Sequence, residues 1–100
     1  MLNILDIKKV IEPIVKGTKV KRVVLFGSHA QGTASENSDI DLFIDSNGEI
    51  TGLAYFDLKS KMEDAFAMDI DLLPDLDVIP GSRVAHQINE SGVTVYERKE

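Results

Sequence analysis

Apolar residues recur at two different periods along this chain, and the switches between them divide it into elements. In residues 3–16, Ile4, Ile7, Ile11 and Ile14 fall at helical spacing, with Val10 and Val15 widening the stripe. A first helix is predicted there. Asn3 or Asp6 can cap its start, Pro13 is expected to kink or thin it, and Gly17 is placed to end it. Residues 21–26 read as a strand, residues 28–31 as one helical turn closed by Gly32, and residues 33–38 as a polar loop. A second strand is expected over 39–44, followed by an Asn47-Gly48 turn. Residues 52–67 predict an amphipathic helix with Leu53, Phe56, Met62, Ala65 and Phe66 on its buried side. A third strand over 68–73 stops at Pro74, and a loop fills 74–81. A short helix over 82–90 is closed by Gly92, and a last strand covers 93–97. Helices and strands alternate, which predicts a sheet covered by helices.

The chemistry concentrates where the first two strands meet. Gly27-Ser28 follows the apolar run Val23 to Phe26, and Asp39-Ile40-Asp41 opens the second strand. Residues i and i+2 of a strand share a face, so Asp39 and Asp41 project together while Ile40, Leu42 and Ile44 turn to a core. Asp is a poor strand former, so two on one face of an apolar strand need a reason. Side by side at roughly 4 Å, with an effective dielectric of about 20, two carboxylates repel by about 4 kcal/mol. A hard divalent cation such as Mg²⁺ relieves that repulsion and still leaves room for substrate phosphates. Glycine at 27 lets backbone approach a phosphate closely, a helical turn starting at Ser28 favours an anion, and the Ser28 hydroxyl adds a donor. The combination points to metal-assisted chemistry on a nucleoside triphosphate.

Composition narrows the field. One hundred residues predict a single domain, residues 1–100, with little room for a separate substrate-binding unit. A formal net charge of −6 argues against direct nucleic-acid binding, which draws on Lys and Arg. Lys8, Lys9, Lys16, Lys19, Lys21 and Arg22 gather near the start and read as a solvated helix face and edge. There are no cysteines and two histidines, so neither disulfides nor a zinc site can be assembled; His29 reads as a solvent-facing turn residue and His86 as structural. No apolar run approaches the ~20 residues that cross a bilayer, which predicts a soluble cytoplasmic protein without membrane contact.

Gly27-Ser28, the spacer and Asp39-Ile40-Asp41 resemble the nucleotidyltransferase superfamily of DNA polymerase beta, whose motif is Gly-Ser, a spacer, Asp-x-Asp and a third Asp on a later strand. The chain looks most like the minimal nucleotidyltransferase branch, over nearly its whole length. The resemblance implies the nucleotidyltransferase fold, an α/β (α+β) architecture with a small mixed sheet of about four strands flanked by helices. In the family the third Asp precedes a short apolar run, a pattern that Ile70-Asp71-Leu72-Leu73 fits best, which favours Asp71 over Asp69. The resemblance then implies two Mg²⁺ ions on Asp39, Asp41 and Asp71, with ATP on Gly27 and Ser28. Asp71 would also accept the proton of the attacking hydroxyl. The implied activity is transfer of AMP from ATP to a protein hydroxyl, a tyrosine of a partner HEPN-domain toxin, so that the chain acts as an antitoxin. One departure stands out: Gln31 occupies a position where many relatives carry a basic residue, which removes a charge from the phosphate region.

Two other readings compete. A non-catalytic antitoxin would neutralise its toxin by contact alone, and a free-standing transferase would act on a small hydroxylated molecule. Homo- or hetero-oligomerisation, base preference and the number of AMP units added are left open.

Overall fold

The computed structural model describes residues 3–35 and 39–99. Asn3 caps the first helix, its side-chain oxygen accepting the Asp6 backbone N–H at 2.8 Å. This helix, α1, spans Ile4–Val15 and buries Ile7, Ile11 and Val15. It runs through Pro13, which sits in its last turn and removes one interior hydrogen bond. Gly17, at φ +83°, follows the end.

Four strands form one sheet in the order β3-β2-β1-β4: β1 is Arg22–Phe26, β2 is Ile40–Asp45, β3 is Ile70–Pro74 and β4 is Val93–Glu97. The pairs β1–β2 and β1–β4 are antiparallel, and β2–β3 is parallel. The parallel pair needs a crossover, which α3, Gly52–Phe66, supplies. The sheet is therefore mixed, as expected.

Strand alternation assigns the two faces. Val23 and Leu25 of β1, Ile40, Leu42 and Ile44 of β2, and Ile70 and Leu72 of β3 share a core with α1 and α3. On the other face Val24, Phe26, Phe43 and Ile88 make a smaller cluster with Leu73 and Val78. It is covered by α4, Arg83–His86, and a π-helical turn over Gln87–Ser91, where a single helix over 82–90 is expected from the sequence. Ser82 caps α4 through the Ala85 N–H at 3.2 Å. Gly92 ends the segment, and a Cβ there would overlap the Ile88 carbonyl and a Val24 methyl. Bulk at 92 is excluded so that the turn can lie on β1.

Of the five residues expected on the buried side of α3, two are buried and three are exposed. Met62 and Phe66 are buried, together with Leu58, but Ala65 is exposed and Leu53 and Phe56 are 89% and 63% exposed. Leu58, Met62 and Phe66 follow i, i+4 spacing and lie on one stripe; Leu53 and Phe56 fall on the far side of the helix. The helix carries apolar residues on two faces, and only contact with the sheet selects one. The third strand starts at Ile70 rather than residue 68. Part of the expected 33–38 loop lies outside the described residues.

Candidate active site

The site sits where β1 ends and β2 and β3 begin. β1 stops at Phe26, and Gly27, at φ +74° and ψ −152°, turns the chain into α2, Ser28–Gln31. An L side chain rarely adopts that conformation. Space excludes one as well, since a Cβ on Gly27 would overlap Asp41 Oδ2. Two independent constraints thus require glycine at 27. Gly32, at φ +75°, closes the turn, with its N–H bonded to the Ser28 carbonyl. The first N–H groups of any helix lack an intrahelical acceptor, so this turn opens donors beside Asp41.

Asp41 lies directly across the antiparallel ladder from Phe26 and directly across the parallel ladder from Asp71. The Asp41 and Asp71 side chains hydrogen-bond each other. A hydrogen bond between two carboxyls needs a proton shared by the pair, and its surroundings favour the protonated form of Asp41. Its pKa is raised from 3.8 to about 6, first by desolvation, then by the hydrogen bond to Asp71 and the charges of Asp71 and Asp39. The His29 charge acts in the opposite direction.

Asp39 is exposed, immediately before β2, within electrostatic reach of Asp41. Asp71 is exposed on the β3 edge. Asp69 precedes β3, and its carbonyl accepts the Ile40 N–H at 3.4 Å. Of the two aspartates weighed for the third carboxylate, Asp71 is the one bonded to Asp41. Among the described residues no set of three His, Cys, Asp or Glu side chains is already gathered as a metal cage. What is preformed is the Asp41–Asp71 pair against Gly27, with Asp39 at longer range.

The residues present fit a hard cation on two counts. The Asp41 and Asp71 carboxyls stand side by side on adjacent strands with Asp39 adding negative charge nearby, and such oxygens suit a hard divalent cation. The Asp41 oxygen takes the space that a Cβ at 27 would fill, so this carboxyl packs directly against the turn. His29, read from sequence as solvent-facing, is half-buried and close enough to lower the Asp41 pKa. Gln31 is exposed on the same turn. A concavity of about 840 Å³ lies elsewhere, between α1 and β4. Lys8, Lys16, Arg98 and Lys99 flank it, together with Glu12 and Glu97. Among the described residues no helix is long and apolar enough to cross a membrane.

The chain is similar to known proteins in sequence and in fold. The family model described as Polymerase beta, Nucleotidyltransferase matches residues 8–100. The chain is 35% identical over 72 residues to "Putative protein adenylyltransferase MJ0435" of Methanocaldococcus jannaschii, covering 72% of this chain and 77% of that one. It is 36% identical over 55 residues to Protein adenylyltransferase MntA of Shewanella oneidensis, covering 55% of this chain but only 40% of MntA. A crystal structure described as a toxin-antitoxin with AMP-PNP superposes with a TM-score of 0.73 at 26% identity, over 92% of this chain and 74% of the other.

Proposed function

This chain belongs to the polymerase beta nucleotidyltransferase family, and on that premise we propose that it is a Mg²⁺-dependent protein adenylyltransferase. It moves AMP from ATP to a tyrosine hydroxyl of a partner HEPN-domain toxin and thereby acts as that toxin's antitoxin. The observation that carries the reading is the Asp41–Asp71 carboxyl pair set against the Gly27 turn. Relatives named protein adenylyltransferase support the reaction class, and the fold shared with a toxin-antitoxin holding AMP-PNP supports the nucleotide and the kind of partner.

The residues divide the work as follows. Gly27 and Ser28 hold the β- and γ-phosphates, the glycine by close backbone approach and the serine through its hydroxyl. Asp39, Asp41 and Asp71 would hold two Mg²⁺ ions, which neutralise triphosphate charge and favour the ionised form of the acceptor hydroxyl. Asp71, exposed at the sheet edge, faces the acceptor and takes its proton. The acceptor oxygen bonds to the α-phosphorus, the bond from that phosphorus to the bridging oxygen breaks, and pyrophosphate leaves. Transfer of this kind asks the protein for positioning and charge neutralisation more than for covalent chemistry. Adding AMP to a tyrosine at the toxin's RNase site would block it.

The test is incubation with ATP, Mg²⁺ and the HEPN partner, followed by intact mass. Whole AMP units added to the toxin, and lost when Asp39 and Asp41 are both changed to Asn in a folded chain, are expected. A folded pair that gains no mass would overturn the catalytic reading. Gln31, exposed where a cation would favour triphosphate, keeps a contact-only antitoxin in contention. In that case the Asp39→Asn/Asp41→Asn chain neutralises the toxin as well as the original does.

A further inference from the structure

Asp71 sits on an edge strand, and an edge strand is the easiest part of a sheet to displace. Among the described residues β3 pairs with β2 alone. Backbone groups of successive residues point to alternate sides of a strand. The Asp69 carbonyl accepts from Ile40 of β2, so residues 69 and 71 direct their backbone groups inward. Ile70 and Leu72 direct theirs to the open edge, where an uncovered row of donors and acceptors is normally left to solvent.

Two side chains of α3 reach this row. Glu63 Oε2 accepts the Ile70 N–H at 3.3 Å, and the Tyr55 hydroxyl donates to the Leu72 carbonyl at 2.6 Å. The two bonds bracket Asp71, one residue to either side. α3 is itself anchored on the core face by Leu58, Met62 and Phe66. Without this tie, carboxylates at 41 and 71 relieve their repulsion most cheaply by moving the edge strand outward. With it, β3 is held from both sides, by the β2 ladder and by α3.

We propose that Tyr55 and Glu63 are positioning residues that clamp the outer edge of β3 and so keep the Asp71 carboxyl within reach of Asp41. The inference rests on the reading of Asp71 as a cation ligand and adds two residues to it. Neither touches substrate; both act through the backbone that flanks Asp71. Glu63 needs only an acceptor oxygen for this task, and Tyr55 needs its hydroxyl.

The experiment titrates Mn²⁺ into the full chain with AMP-PNP present, by calorimetry, for Tyr55→Phe, Glu63→Ala, Glu63→Gln and Asp71→Asn, with circular dichroism as the folding control. Groups that orient a metal ligand typically matter by about tenfold or more in metal affinity, so Tyr55→Phe and Glu63→Ala are expected to weaken Mn²⁺ binding ~10-fold. Glu63→Gln, which keeps an acceptor, restores the affinity of the original chain. If Tyr55→Phe and Glu63→Ala lower the melting temperature yet bind Mn²⁺ as the original does, the two residues only protect an edge and the clamp is wrong. Asp71→Asn separates the layers. Loss of binding there, with the clamp variants unaffected, overturns the clamp alone; unchanged binding there overturns the role of Asp71 and the clamp with it.

Discussion

Changing Asp41 to asparagine should stabilise the metal-free protein while removing the oxygen that the proposed reaction needs. The folded chain holds a proton on Asp41 up to about pH 6, against 3.8 ordinarily, chiefly because burial disfavours the charge and Asp71 bonds the protonated form. The folded state therefore binds this proton more tightly than the unfolded state, and stability falls as pH rises from about 4 through 6. Two pKa units are worth about 3 kcal/mol at full value. Asp41 is only half-buried, so screening reduces this to about 1 kcal/mol at neutral pH. Asparagine has nearly the same shape, keeps a donor toward Asp71 and carries no charge at any pH. In EDTA at pH 7.5, Asp41→Asn should melt about 5 °C higher than the original chain. The gap should narrow sharply by pH 4, where the folded carboxyl is protonated and the unfolded one is about half so. Thermal melts from pH 4 to 8 read this directly. A variant equal to or less stable than the original at pH 7.5 would refute the electrostatic account of the site.

Gly27→Ala meets both a positive φ and the Asp41 carboxylate, so it should cost about 1–3 kcal/mol in urea unfolding and remove ATP-dependent transfer. On α3, Met62→Ala should cost about 2–4 kcal/mol because the side chain is fully buried, whereas Leu53→Ser and Phe56→Ser should each stay within about 0.5 kcal/mol; equal losses would mean that the assigned face is wrong. Gln31→Arg adds a cation to the turn after Ser28 and should tighten AMP-PNP binding about two- to fivefold at low salt, with the gain disappearing at high salt.

The features legible in the sequence were those written in local spacing. Asp39 and Asp41 alternate with Ile40 and Leu42, and alternation alone fixes which pair faces the core. Gly27, followed at once by Ser28 after an apolar run, marks a turn before any coordinates are known, although not the Asp41 oxygen that forbids a Cβ there. The run Ile70-Asp71-Leu72-Leu73 favours Asp71 over Asp69 in the sequence itself, but that Asp71 stands opposite Asp41 follows from the parallel register of β2 and β3, which leaves no local trace because α3 intervenes. The buried stripe of α3 failed for a related reason. Leu53 and Phe56 are as apolar as Leu58 and Phe66, and the sheet chooses between them. Tyr55 and Glu63 were invisible as partners of β3, since each contact joins a helix to the strand that follows it and depends on how the chain turns back between them. The nearness of His29 to Asp41 likewise follows from how α2 folds back over β2, not from its place in the turn.

On the proposed function, Asp39, Asp41 and Asp71 form one cation site beside the Gly27-Ser28 turn. Anomalous diffraction from crystals grown with Mn²⁺ and AMP-PNP tests it most directly. Mn²⁺ peaks bounded by oxygens of these three aspartates are expected, with the triphosphate on the Gly27-Ser28 backbone. Nucleotide and metal seated elsewhere, for instance between α1 and β4 against Lys8, Lys16 and Arg98, would contradict it.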